Sequence, residues 1–417
     1  MRKAERPEAD VVVVGAGAAG LACATDLVTA GLRVSLLEAD DTAGGRMRTD
    51  RVRGFTADRG FQVLNTSYPQ VKHRLDLRAL RLRRFTPGVL VHTGSSGLRR
   101  FSDPTRSLRH SRDLLPGRLA SGRDLAALAL LSTRDMLPPA TRLKARPDTT
   151  TLTALTGAGF TPGFVETFFR PFLSGVFLED RLDTSARFFH LVWRSLLRGT
   201  ACLPAEGIGA VPAQLASRLP PGVLRTGAPV AGLTADGVTL ADGGELTART
   251  VVIATGRQAA ARLLPGLEVP GARTVTTLYH AAERSPLPEP TLVVDARRRF
   301  LNTCVLTEVH PGYSGDGRAL VSTSVLGSPD PAREAAVRAA LGEVYGTDTQ
   351  AWEPVHRVTV HDALPAMLPP LQLSRTTRFA PARYVCGDHR ATGSLQGALA
   401  SGTRAARELL TDLHHHA

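Results

Sequence analysis

Apolar positions along the 417-residue chain change their period several times, and each change marks an element. Val11 to Val14 is an unbroken β-branched run, which predicts a central parallel strand buried on both faces. Leu21, Ala24, Leu27 and Val28 then recur at helical spacing until Gly31, a residue suited to a helix C-terminus. A second strand is expected over 34–37 and ends at Glu38. Further on, Val251 to Ala254 and Tyr384 to Asp388 read as strands, and Asp242-Gly-Gly reads as a hairpin turn. A helix opens near Pro204-Ala-Glu-Gly207-Ile-Gly209, and another runs from Leu395 to about Leu410. Phe164, Phe168 and Phe172 fall on one face of a helix, with Glu166 and Phe169 on a second.

The link between the first strand and its helix carries the chemistry. Gly15-Ala-Gly17-Ala18-Ala19-Gly20 completes a series of strand, glycine turn, helix, strand and acid, the order a dinucleotide-binding fold requires. Gly15 permits the tight turn, Gly17 lets backbone approach a pyrophosphate, and Gly20 allows the helix to pack closely on the strand. The free N–H groups and the positive dipole end of the helix starting near Ala18 then hold phosphates. Glu38 is placed to accept hydrogen bonds from both ribose hydroxyls. A carboxylate there repels a 2′-phosphate, so the expected ligand is FAD or NAD and not NADP.

Asp40-Asp-Thr-Ala-Gly44-Gly45-Arg46 follows, with a guanidinium able to pair with a diphosphate. Gly54-Phe-Thr-Ala-Asp58-Arg-Gly60-Phe61-Gln62 comes next. With these segments the chain resembles the superfamily of flavin amine oxidases, phytoene desaturases and protoporphyrinogen oxidases. The resemblance implies a fold and a cofactor: a Rossmann-like α/β FAD-binding domain of the glutathione-reductase-like type, joined to a discontinuous α+β substrate domain. It implies that Gly45 and Arg46 meet the pyrophosphate and that Gly60, Phe61 and Gln62 lie near the isoalloxazine. It further implies that Val230 packs beside the adenine, that Gly387 and Asp388 reach the ribityl chain, and that the helix N-terminus near Leu395 faces N1 and O2 of the flavin. No Cys or His occupies a position the family uses for a covalent link, so the FAD is expected to be non-covalent. The expected FAD-binding segments are 1–85, 204–265 and 355–417, and 86–203 with 266–354 form the substrate domain.

Substrate and partners are less sharply written. Eight of the 14 phenylalanines lie between Phe160 and Phe189, as a hydrophobic core or as the wall of an apolar pocket. Phe168, Phe172, Tyr279 and His361 are the pocket candidates, and Tyr279, His280 and His361 are candidate proton acceptors. No nucleophile with its base and no carboxylate pair can be picked out by spacing, so the catalytic residues stay unassigned. Amine oxidases of the family carry a lysine on the strand matching about Thr274 to Thr277 and an aromatic residue at the position of Ser394; residues 145–417 contain no lysine. That favours a desaturase-like or protoporphyrinogen-oxidase-like reaction on an apolar substrate over amine oxidation. With no second GxGxxG after a strand, electrons are expected to leave to oxygen, a quinone or another carrier. The competing non-enzymatic reading is a lipid-binding protein of the GDP-dissociation-inhibitor type.

Composition narrows the partners. A formal charge of +13 comes from 51 Lys and Arg against 38 Asp and Glu, yet no nucleic-acid-binding signature is present. The charge suits peripheral contact with anionic lipid instead, with Arg81 to Arg84 and Arg297 to Arg299 as candidate contributors. Four scattered cysteines indicate neither a zinc site nor a disulfide framework, and they fit a reducing cytoplasm. No apolar stretch reaches the length of a membrane span. His414 to His416 lack a fixed supporting shell, so no metal site is expected. The stretch from Leu137 to Thr149 reads as the likeliest flexible connector.

Overall fold

In the computed structural model, which describes residues 7–94, 97–102 and 119–415, the Val11–Val14 run occupies the middle of an eight-stranded sheet. The strand Ala9–Val14 pairs in parallel with Val34–Leu37 on one side and with Glu245–Ile253 on the other. Its valines need no polar alternation because both faces are covered. The neighbour Glu245–Ile253 shows both patterns in one strand. Its first half alternates buried and exposed residues while pairing with the hairpin strand Gly237–Leu240. Its second half, Val251-Val252-Ile253, is fully buried between Ala9–Val14 and Arg383–Val385.

The helix Ala18–Thr29 packs against the last helix, Leu395–His415. A Cβ on Gly402 would lie 2.1 Å from the carbonyl oxygen of Ala19, so only glycine allows this approach. The contact ties the last helix to the helix that follows the nucleotide turn.

A seven-stranded sheet forms the second unit. Its order is Glu353–Pro365, Ala272–Ala282, Ala319–Leu326, Asn302–Val305, Leu292–Asp295, Val89–His92 and Leu98–Phe101. Alternation decides its faces: Val89, Val91, Phe101 and Val294 pack on a helical layer, whereas Leu90, Val293, Val305 and Val321 pack with the helix Pro331–Tyr345. Residues 355–365, expected with the FAD-binding segments, are hydrogen-bonded along Ala272–Ala282 and belong to this sheet. Backbone pairing with a distant strand overrides the position of 355–365 in the chain.

The helical layer contains Gly122–Met136, Thr151–Gly157, Arg170–Phe177 and Ala186–Arg198. Val165–Phe169 forms a π turn ahead of Arg170–Phe177. Pro171 lacks an N–H and its ring crowds the carbonyl one turn back, and the wider turn accommodates both. Phe164, Phe168 and Phe172 stack in a ladder, with centroids 5.2 and 5.8 Å apart and ring planes 13° and 5° from parallel. The expected connector from Leu137 to Thr149 carries a short helix, Ala140–Lys144. Its end is anchored through Asp148, which accepts from the Ser185 hydroxyl and the Leu371 N–H at 2.7 Å each.

Candidate active site

A cavity of about 1570 Å³ runs from the glycine turn, between the two sheets, into the space under the helical layer. Its nucleotide end is built by backbone. Gly15 has φ +100°, and a Cβ there would sit 3.0 Å from the Ala254 oxygen. Gly20 lies behind the wall, where a Cβ would meet the Gly15 oxygen at 1.9 Å, so its part is packing and not lining. A Cβ on Gly17 would meet nothing within 4 Å, because this backbone faces open cavity with Ala18 and Ala19 beside it. Gly44, at φ +138°, bridges to Gly17 and brings Gly45 and Arg46 against the same space.

Glu38 ends the second strand, almost fully buried. Its carboxylate accepts the Ala16 N–H at 2.7 Å and the Asp40 N–H at 3.1 Å. A carboxylate has about four acceptor sites, so two remain for the hydroxyls of a ribose. Val230 lines the cavity on the far side of this end.

Gly60, Phe61 and Gln62 line the cavity, and so do Gly387, Asp388 and Leu395. The Phe61 N–H donates to the Thr277 hydroxyl at 3.2 Å, and the Gln62 amide donates to the Arg46 carbonyl at 2.7 Å. Arg46 and Asp388 form an ion pair at 2.8 Å, and the same guanidinium donates to the Ala363 carbonyl at 2.8 Å. Asp388 holds the guanidinium of Arg46 more firmly protonated than usual. Beneath Gly387 lies the buried ring of His389, whose nitrogens have no hydrogen-bond partner among the described residues. Burial pulls its pKa down to about 4, so the ring is neutral.

Two pocket candidates lie elsewhere. Tyr279 is fully buried and donates to the Asp58 carbonyl at 2.6 Å; burial pushes its phenol pKa up, and it does not line the cavity. His361 is exposed on Glu353–Pro365, also off the cavity wall, and His280 packs at a tilt against Trp352 away from it. Strand alternation turns His280 and His361 off the cavity face; Tyr279 shares the face of Thr277 but is buried two residues farther along the strand. Phe168 and Phe172 do line the cavity, joined by Trp193 and Leu196, while Phe160, Phe164, Phe169 and Phe189 are core. Asn302, Ser324 and Ser102 are further cavity residues, and no motif or spacing singles them out. Among the described residues no cluster of His, Cys, Asp or Glu is placed to hold a metal; His416 lies outside them.

The nucleotide-type turn, the buried carboxylate that ends the second strand and a second sheet roofed by helices define a two-sheet flavoprotein of the Rossmann-like class. The chain belongs to the flavin containing amine oxidoreductase family, whose model matches residues 18–410. Over 71 residues it is 46% identical to hydroxyneurosporene desaturase of Rhodobacter capsulatus, covering 17% of this chain and 13% of that protein. Over 77 residues it is 39% identical to protoporphyrinogen oxidase 2 of Arabidopsis thaliana, covering 18% and 15%. The matched part is thus less than a fifth of these relatives' lengths. In fold it is similar to cyclohexylamine oxidase from Brevibacterium oxydans, with a TM-score of 0.74 at 18% identity over 98% of this chain and all of that one. At that identity the likeness concerns the fold alone. The family's cofactor is a flavin, and the open backbone at Gly17 together with the unused acceptor sites of Glu38 fits FAD.

Proposed function

We propose that the chain is an FAD-dependent oxidoreductase that takes a hydride from a large apolar substrate, in the manner of a desaturase or a protoporphyrinogen oxidase. The observation that carries this reading is the distribution of charge along one cavity. Its charged lining side chains are Glu38, Arg46, Arg59, Arg262, Asp362 and Asp388, all at the cofactor end. Among the described residues, the part under the helices is lined by groups such as Leu128, Phe172 and Trp193 and by no charged side chain. A cationic amine would enter that space without a counter-ion, at a desolvation cost of several kcal/mol. A neutral hydrocarbon body would enter it favourably, at about 25 cal/mol per Å² buried.

Bound FAD supplies the hydride acceptor. The protein's residues have separate tasks in this reading. The Gly17 turn and Arg46 hold the diphosphate, Glu38 the adenosine ribose, and Asp388 a ribityl hydroxyl. The N-terminus of Leu395–His415 favours negative charge on the reduced ring. Phe168, Phe172 and Trp193 exclude water and orient the substrate. Ser394 at the cavity and Thr277 on the neighbouring strand leave neither the aromatic frame nor the lysine expected of an amine oxidase.

The substrate's route points to a lipid surface. Leu137 borders the cavity and is 79% exposed, so the cavity meets the surface there, and Leu130 on the same helix is 59% exposed. Arg134, Arg142 and Lys144 are exposed nearby in the chain and form no ion pair among the described residues. Arg81 pairs with Glu206, and Arg297 and Arg299 with Glu343, so the two runs expected to meet lipid are partly neutralised within the protein. Among the described residues no helix is long and apolar enough to cross a membrane.

Anaerobic mixing of the flavin-loaded protein with polyenes, porphyrinogens and amines tests the reading. Bleaching of the flavin band by a polyene or porphyrinogen is expected; bleaching by a small amine alone would replace this reading with amine oxidation.

A further inference from the structure

The floor of the substrate space is one face of the seven-stranded sheet, and the strand pairing orders its residues. Thr277 lies opposite Ser324, and Ser324 opposite Asn302. Paired residues point to the same face, so these three form a row, and Val294, Leu292, Val89 and Phe101 continue the floor on the strands beyond. The row begins at the flavin side, since the Thr277 hydroxyl accepts the Phe61 N–H. At about 4.8 Å per strand, Ser324 and Asn302 lie roughly 5 and 10 Å farther out.

Both residues break the apolar floor. Asn302 is 6% exposed and Ser324 3%, and both line the cavity. The side-chain amide of Asn302, which rests against Gly175, makes no hydrogen bond among the described residues, and neither does the Ser324 hydroxyl. Their neighbours on the opposite face are satisfied: the Thr303 hydroxyl bonds to the Ser322 carbonyl and to the hydroxyls of Thr323 and Tyr345. Neither group is sealed off: both open onto the cavity, so their hydrogen-bonding capacity is met only by what occupies that space. Leucine would fill the Asn302 site at similar volume and keep the floor apolar, so the polar pair stands where a ligand group would meet it.

We propose that Asn302 and Ser324 bind an oxygen function, a hydroxyl or a carbonyl, carried by an otherwise apolar substrate. The amide offers two N–H donors and an acceptor and the serine one of each, so the pair serves either group. This inference rests on the reading that the space takes a large apolar substrate. The substrate oxygen then fixes which carbon lies over the flavin, because a hydrocarbon in a smooth apolar channel would be free to slide.

The test uses the FAD-loaded protein, with decane and decan-2-one as probes and displacement of the flavin absorption band as the reading of binding. Asn302→Leu, alone and with Ser324→Ala, is expected to weaken decan-2-one binding tenfold or more while decane binding changes less than twofold. Retained FAD content and an unchanged or raised Tm show that the variants fold. An equal loss for both probes marks Asn302 as structural, and no loss for either marks the pair as idle; each overturns the inference while leaving the apolar-substrate reading in place. Failure of decane to bind the unmodified protein would overturn that reading and the inference together.

Discussion

The guanidinium of Arg46 lies 2.8 Å from the carboxylate of Asp388, joining the second glycine turn to the segment that leads into the last helix. Asp388 is almost buried, whereas Arg46 keeps 38% of its side chain exposed. The pair therefore places one fixed anion and one cation with unused N–H groups on the cavity wall. Arg46→Ala leaves Asp388 facing the cavity uncompensated, where it repels a diphosphate. FAD binding to the apoprotein should weaken at least tenfold, measured by calorimetry, and more than for Arg46→Lys.

Glu38→Ala removes the acceptor of the Ala16 and Asp40 N–H groups and, in the proposed reading, of the ribose hydroxyls. Charge-assisted hydrogen bonds are worth about 1.5 to 3 kcal/mol. At 1.4 kcal/mol per decade, the loss corresponds to roughly ten- to a hundredfold weaker FAD binding. Equal affinity in the two proteins would remove Glu38 from the ribose site.

Asp58 carries a pH dependence of stability. It is fully buried, and burial pushes its carboxyl up to about 6 against the hydrogen bonds from the Thr49 hydroxyl and the Ile208 N–H. The folded protein thus holds this proton more tightly than the unfolded chain does. Its contribution is fully present below pH 3.8 and is lost as pH rises through about 6. The Tm difference between Asp58→Asn and the unmodified protein should therefore shift in favour of the variant between pH 4 and pH 7. By the usual 1.36 kcal/mol per pH unit, the change is at most about 3 kcal/mol. A difference that stays flat across this range would mean that Asp58 is charged in the fold throughout.

Acid precipitation should release free FAD to the supernatant. Cys23, Cys202, Cys304 and Cys386 are all buried, and none of them lines the cavity. Flavin that stays with the pellet would show a covalent link.

Exchange of Arg134, Arg142 and Lys144 for glutamine should reduce cosedimentation with anionic vesicles at low salt. At about 1 kcal/mol for each basic residue near the surface, the loss is on the order of a hundredfold. Neutral vesicles should show no such difference, and added salt should shrink it. Equal binding of variant and unmodified protein would place lipid contact on another face, or remove it.

Much of the nucleotide end was legible because its determinants are local. Val11 to Val14, the spaced glycines and Glu38 fall within one stretch of chain, where period and turn chemistry decide the structure. The substrate space was not legible in the same way. Asn302-Thr303-Cys304 alternates, but which of its two sets faces the cavity depends on the pairing with Ala319–Leu326, a strand beyond the next helix. His361 sits off the cavity wall for the same reason, whereas Tyr279 shares the face of Thr277 and is off the wall because it lies farther along the strand, bonded to Asp58. The phenylalanine cluster was written in the sequence, yet only packing separates Phe168 and Phe172 on the wall from Phe164 and Phe169 in the core.

The strand Glu353–Pro365 is bonded along the floor sheet, and its far end reaches the cofactor wall, where Asp362 holds Arg257 at 2.7 Å and the Ala363 carbonyl receives Arg46. Floor and cofactor are therefore measured off the same piece of backbone. In the proposed reading, the interval between a substrate carbon and the flavin is graduated in strands of the floor sheet, each about 4.8 Å wide, and does not depend on how two separate bodies dock. Loops around the cavity can change to admit another molecule while this ruler keeps the reacting distance constant.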